Sequence, residues 1–150
     1  HNGHWEETAE DSTETRGFFI EDDGGFQKPM EYWIGAMVFT PDAKMLITGS
    51  RDNTIRFFEM PTMNELRVVR GHNGWVRSLV VSPDGKVLIS AGDDNTIRFW
   101  DIATGRNFRT DKTHGGAVRG IALSQDGLRL ASASWDRTVK LWEGGVEPAE

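Results

Sequence analysis

The amino-acid sequence predicts an all-β fold built from repeats of one antiparallel meander, and three observations carry that prediction. Short runs rich in β-branched and aromatic residues alternate with turn formers. Val76 to Val81, the turn Ser82-Pro83-Asp84-Gly85, Val87 to Ala91 and the turn Gly92-Asp93-Asp94-Asn95 follow one another with only Lys86 between them. Runs of this kind between tight turn signals read as strands joined by hairpins. The text also repeats: Pro41-Asp42, Pro83-Asp84 and Gln125-Asp126 mark the same turn at a constant offset of 42 residues, with no gap. Each full copy has room for four short strands. An ungapped period in the low forties with four strands per unit is the signature of a propeller blade.

Taken in order, the chain opens with an acidic arm over residues 1–32. It holds nine Asp and Glu against Arg16 and Lys28, a net −7 within a total of −6, so the repeats that follow carry +1. Residues 1–15 are polar and without period and read as a solvated tail. Gly17-Phe18-Phe19-Ile20 is the first apolar run and reads as a single strand. The first blade repeat covers 33–74, with strands near 34–39, 45–49, 54–58 and 65–69. The second covers 75–116, with strands near 76–81, 87–91, 96–101 and 106–110. The third covers 117–143, with strands near 118–123, 129–133 and 138–142 and no outer strand. Residues 144–150 form a polar tail.

Gly71-His72, Ser82-Pro83-Asp84-Gly85 and the stretch from Ser90 to Trp100-Asp101 resemble a WD repeat of the WD40 family. The resemblance covers about residues 33 to 143. Only the middle copy spells Trp-Asp; the others read Phe58-Glu59 and Trp142-Glu143. His72, Ser90, Asp94 and Trp100 recur with identical spacing as His114, Ser132, Asp136 and Trp142. A Ser-His-Asp set invites a nucleophilic reading. This set, however, returns at the blade period with an indole each time, whereas a catalytic triad occurs once per site. The resemblance implies a buried hydrogen-bond chain instead: the Trp donates to the Ser, which bonds the His, which the Asp holds. Buried indole, hydroxyl and imidazole groups all require such partners. In the first copy Thr48 and Asp52 fit, but Phe58 replaces the Trp and Met30 stands in place of the His. That blade is expected to rely on apolar packing and to be the least regular of the three.

Other chemistry is sparse. No catalytic residue, cofactor or metal site is expected; His1 and His4 are two ligands on a chain end, and Gly144-Gly145 lacks the lysine of a phosphate loop. The absence of cysteine suits a reducing compartment and an intracellular location. No apolar stretch approaches the length that spans a bilayer, and no basic stripe for nucleic acid is present.

By resemblance, function is docking of other proteins or peptides on the face that carries the loops before each first strand and the turns between second and third strands. Candidate partner-binding residues there are Trp135, Arg51 and Asp93 at the position before each turn Asp, Trp33 and Trp75 at the start of the first strands, and Arg77 and Arg119 two residues further on. Tryptophan and arginine are the residue types that dominate interface energies. The leading reading is a non-catalytic interaction scaffold in a larger complex. An alternative is a ligand-sensing or autoinhibitory module of a multidomain regulator. Three blades do not close a ring. The chain, which opens on His1 rather than Met, is therefore expected to take its missing blades from a longer polypeptide or from a second copy, with residues 17–28 supplying the absent outer strand in the latter case.

Overall fold

The structure, a computed structural model, describes residues 4–6, 19–21 and 28–144. The chain divides into two compact units, 1–30 and 31–150. In the first, β1 (His4–Glu6) and β2 (Phe19–Glu21) form an antiparallel pair with His4 opposite Glu21. This corrects the reading of residues 1–15 as tail throughout. A three-residue strand among polar neighbours shows no period by which sequence could reveal it. The remainder of that tail, most of 17–28 and residues 145–150 lie outside the described residues.

The second unit holds three antiparallel sheets and, among the described residues, no helix. The first contains β3 (Ile34–Phe39), β4 (Met45–Ser50), β5 (Thr54–Glu59) and β6 (Asn64–Arg70) in sequential order. The second contains β7 (Val76–Val81), β8 (Val87–Gly92), β9 (Ile97–Asp101) and β10 (Asn107–Asp111), likewise sequential. The third is three-stranded: β11 (Val118–Leu123), β12 (Arg129–Ser134) and β13 (Val139–Glu143).

The hairpins between first and second strands share one construction. Ser82 Oγ donates to Asp84 at 2.6 Å and accepts the Val87 N–H at 3.0 Å, while Asp84 accepts the Lys86 N–H at 3.0 Å. Thr40 with Asp42, and Ser124 with Asp126, repeat it. These short side chains give the backbone a local turn partner. The next residue takes a left-handed conformation, with φ 76° at both Gly85 and Gly127, where glycine carries no Cβ penalty.

The cores lie between sheets. Ile47, Ile55 and Phe57 of the first sheet meet Val76, Leu79, Leu88, Trp100 and Ile102 of the second. Val87, Ile89, Ile97 and Phe99 on the other side of the second sheet meet Val118 and Leu130 of the third. Each sheet thus buries apolar surface only against its neighbours, as stacked repeats do.

The first sheet is not the least regular. Its ladders keep the register of the second sheet, and Phe58 is fully buried. One irregularity is common to all three. The ladder between first and second strands shifts between Ile34 and Ala36, between Val76 and Ser78, and between Val118 and Gly120. The residue skipped each time, Gly35, Arg77 or Arg119, is a β-bulge residue without a cross-strand partner.

Candidate docking face

Beneath the face lies a polar network that fixes its loops. In the second sheet, Trp100 Nε1–H donates to Ser90 Oγ at 2.8 Å, and Ser90 Oγ stands 2.7 Å from His72 Nε2. His72 Nδ1 lies 3.1 Å from both Asp94 carboxylate oxygens. Asp94 accepts only, so Nδ1 carries the imidazole proton and Nε2 receives the serine hydroxyl. The Asn73 N–H at 2.9 Å, the Thr96 hydroxyl at 2.8 Å and the Thr96 N–H at 3.2 Å also donate to the carboxylate, and Arg98 lies 3.8 Å from it. Burial pushes the Asp94 carboxyl up. The His72 ring, Asn73 and Thr96 outweigh it and hold the group well below the usual carboxylate range.

The third sheet repeats the chain with looser geometry. His114 Nδ1 is 2.8 Å from Asp136 and Nε2 is 2.7 Å from Ser132, but Trp142 Nε1 reaches Ser132 only at 3.3 Å. Hydrogen bonds from Thr138 and the His114 ring hold Asp136 well below the ordinary value. In the first sheet the chain is absent. Thr48 Oγ1, which takes the place of the serine hydroxyl, is buried with no hydrogen-bond partner. Asp52 is instead bound by the Ser50 hydroxyl, the Thr54 hydroxyl at 2.7 Å and Arg56 at 3.1 Å. Burial again opposes ionisation, and these donors bring its pKa down to about 2.

The face itself is built from three equivalent positions per sheet. The first residue and the turn residue are tied by one backbone bond in every copy: Arg51 N–H to Trp33 O at 2.8 Å, Asp93 N–H to Trp75 O at 2.9 Å and Trp135 N–H to Ala117 O at 2.9 Å. The bulge residue is the third position. Arg51 stacks on both Trp33 and Trp75, with its guanidinium carbon 4.7 and 4.8 Å from the ring centroids. Arg77 stacks on the Trp75 ring at 3.7 Å and grips Asp93 with two 2.9 Å bonds. Arg119 stacks on Trp135 at 4.4 Å. Such contacts contribute roughly 0.5–1 kcal/mol each at exposed sites.

These contacts give two of the three turn positions a structural role as well. Arg51 bridges two sheets and Asp93 is paired within its own. Trp75 is half-buried, with its indole nitrogen 2.3 Å from where a Cβ on Gly35 would stand. Only glycine fits at 35, and Trp75 packs between sheets, while Trp33 is exposed. Trp135 is 70% exposed. Beside it opens a cavity of about 380 Å³ lined by Gly35, Arg77, Arg119, Ala133, Ser134 and Trp135. Among the described residues, no three His, Asp or Glu side chains come together to hold a metal.

The model of the family described as WD domain, G-beta repeat matches residues 28–59, 63–101 and 105–143. The chain belongs to the WD40 family. Two solved structures are similar to it, described as the crystal structure of RRP9 WD40 repeats and the structure of U3-55K. Each is 28% identical with a TM-score of 0.73 and is matched over 80% of this chain. The chain spans about two fifths of those structures, 39% and 40% respectively.

Sequence alone singled out the WD40 network residues because their types and spacing recur. It did not single out Ser50, Arg56 or the bulge. Ser50 stands where the other two copies have Gly92 and Ser134, and a hydroxyl two residues before Asp52 was the available signal. Gly35 differs from Arg77 and Arg119, so no residue type common to all three marks the bulge.

Proposed function

We propose that this WD40 chain is a non-catalytic scaffold segment that docks a protein or peptide over the rim formed by Trp135, Arg119 and Arg77. The observation that carries the reading is the cavity beside Trp135. A large aromatic side chain stands exposed at its edge, supported by a stacked arginine rather than by core packing. Exposed Trp and Arg around a concavity are the pattern of an interface anchor.

We further propose that additional blades cover the outer side of the third sheet. Supporting this is the apolar character of that side, where Val139 and Leu141 are 68% and 76% exposed. The matching residues of the second sheet, Ile97 and Phe99, are buried by a neighbouring blade.

The test is affinity capture with wild-type chain and Trp135→Ala, compared by quantitative mass spectrometry and by thermal melting. The expected result is loss of partners at an unchanged melting temperature. A Trp135→Ala chain that unfolds, or one that keeps every partner, overturns the reading.

A further inference from the structure

Resting on that docking reading, we infer that the rim selects an acidic peptide segment, whose carboxylate is held by Arg119 and Arg77. Arg119 holds its guanidinium carbon over the Trp135 ring, 4.4 Å from the centroid, and has no hydrogen-bond or ion-pair partner among the described residues. A guanidinium that makes no hydrogen bond within the protein keeps the N–H donors that fork onto a carboxylate available. Arg77 spends Nε and one terminal nitrogen on Asp93, and its other terminal nitrogen has no hydrogen bond among the described residues. Arg51, held between two indoles, likewise has no carboxylate within ion-pair distance among the described residues. Arg77 and Arg119 against Asp93 leave the cavity lip a local charge of about +1, and Arg51, stacked on Trp33 and Trp75, adds a cation on the same face.

That local excess repels a basic segment and gives no advantage to a neutral one. A nucleic-acid backbone also carries anions, but it is held along a track of many cations. Here two arginines, Arg77 and Arg119, line one open cavity of about 380 Å³. The stacked Trp135 provides an apolar surface beside the charge. A segment with a Glu or Asp next to an apolar residue fits both features.

The experiment is selection of a random-peptide display library on the folded 150-residue chain, followed by fluorescence anisotropy on the peptides recovered. Expected are Asp- or Glu-rich peptides that weaken about tenfold when the acid is replaced by its amide, and by a similar factor with Arg119→Glu. Arg119→Lys is expected to retain part of the affinity, and raised salt to reduce it. Neutral or basic peptides that still require Trp135 would overturn the acidic selectivity and leave the docking face standing. Recovery of no peptide, or of peptides indifferent to Trp135→Ala, overturns both. A single-stranded oligonucleotide that displaces the acidic peptides and binds more tightly than they do assigns the rim to nucleic acid and overturns the inference.

Discussion

The second and third blades are close copies with different surroundings. Their first three strands run in the same register and carry the same bulge, and both hold the Trp–Ser–His–Asp chain. Ile97 and Phe99, on one side of the second blade, are 1% and 4% exposed. Val139 and Leu141, at the same positions of the third, are 68% and 76% exposed. The difference extends inward. Trp100 is sealed by Ile102, whereas Gly144 stands in the place of Ile102 in the third blade. There a cavity of about 290 Å³ opens beside Trp142, lined also by Phe99, Arg109 and Leu130. The lesson is that local sequence suffices for strand, turn and network, while neighbours determine how much each is worth.

The largest expected effect tests this at the indoles. Trp100→Ala should cost about 3–5 kcal/mol, the usual range for a large buried aromatic. Trp142→Ala should cost clearly less, since its ring borders a cavity and its bond to Ser132 is longer. Urea denaturation of both variants decides it; equal losses would mean that the cavity beside Trp142 is no weakness. Phe99→Ala against Leu141→Ala is the same comparison on the outer side. The first should cost several kcal/mol, the second almost nothing in the chain alone. If a further blade packs there, Leu141→Asp should also disrupt that assembly in sedimentation without changing the melt of the chain.

The network ranks next. Asp94→Ala leaves the buried His72 and Thr96 donors unpaired, at roughly 1–3 kcal/mol. Asp136→Ala should cost less because its surroundings are more open. Asp52→Ala should also cost less than Asp94→Ala, because its shell contains no buried imidazole. Thermal melts order the three, and identical losses would refute the role given to the network.

The smallest effect is acid sensitivity. Asp94, Asp136 and Asp52 have folded-state pKa values below the unfolded value of about 3.9. Above that value the stabilisation is fully present. As pH falls below it, the unfolded chain takes up protons that the folded chain refuses, and stability declines toward the folded pKa. The melting temperature should therefore drop steeply below pH about 4, and Asp94→Asn should flatten the slope. A wild-type profile level from pH 6 to pH 3 would contradict this.

The strands of the blades could be read from sequence because a 42-residue repeat imposes one pattern three times, and Asp84 and its counterparts mark each turn. The network was legible for the same reason, and its absence from the first blade followed from Phe58 and Met30. What escaped depends on single contacts between non-repeating side chains. Arg51 lying between two indoles and Asp93 gripped by Arg77 need the separation of neighbouring blades, which no periodicity encodes. The pairing of His4–Glu6 with Phe19–Glu21 escaped because three residues are too few to show alternation.

The bulge shared by the three first strands bears on how this protein can change over time. A residue inside a ladder is constrained by its cross-strand neighbour and by the face on which pleating puts it. Arg77 and Arg119 are released from the first constraint and sit within reach of the face, whereas Gly35 is held to glycine by the Trp75 ring and the Val76 carbonyl. Tolerance to mutation should therefore be uneven on a fine scale. In a saturation scan, position 119 should accept many side chains while Val118 beside it, fully buried, accepts few. A surface organised in this way can acquire a new preference by a single codon change without disturbing the strands that carry it.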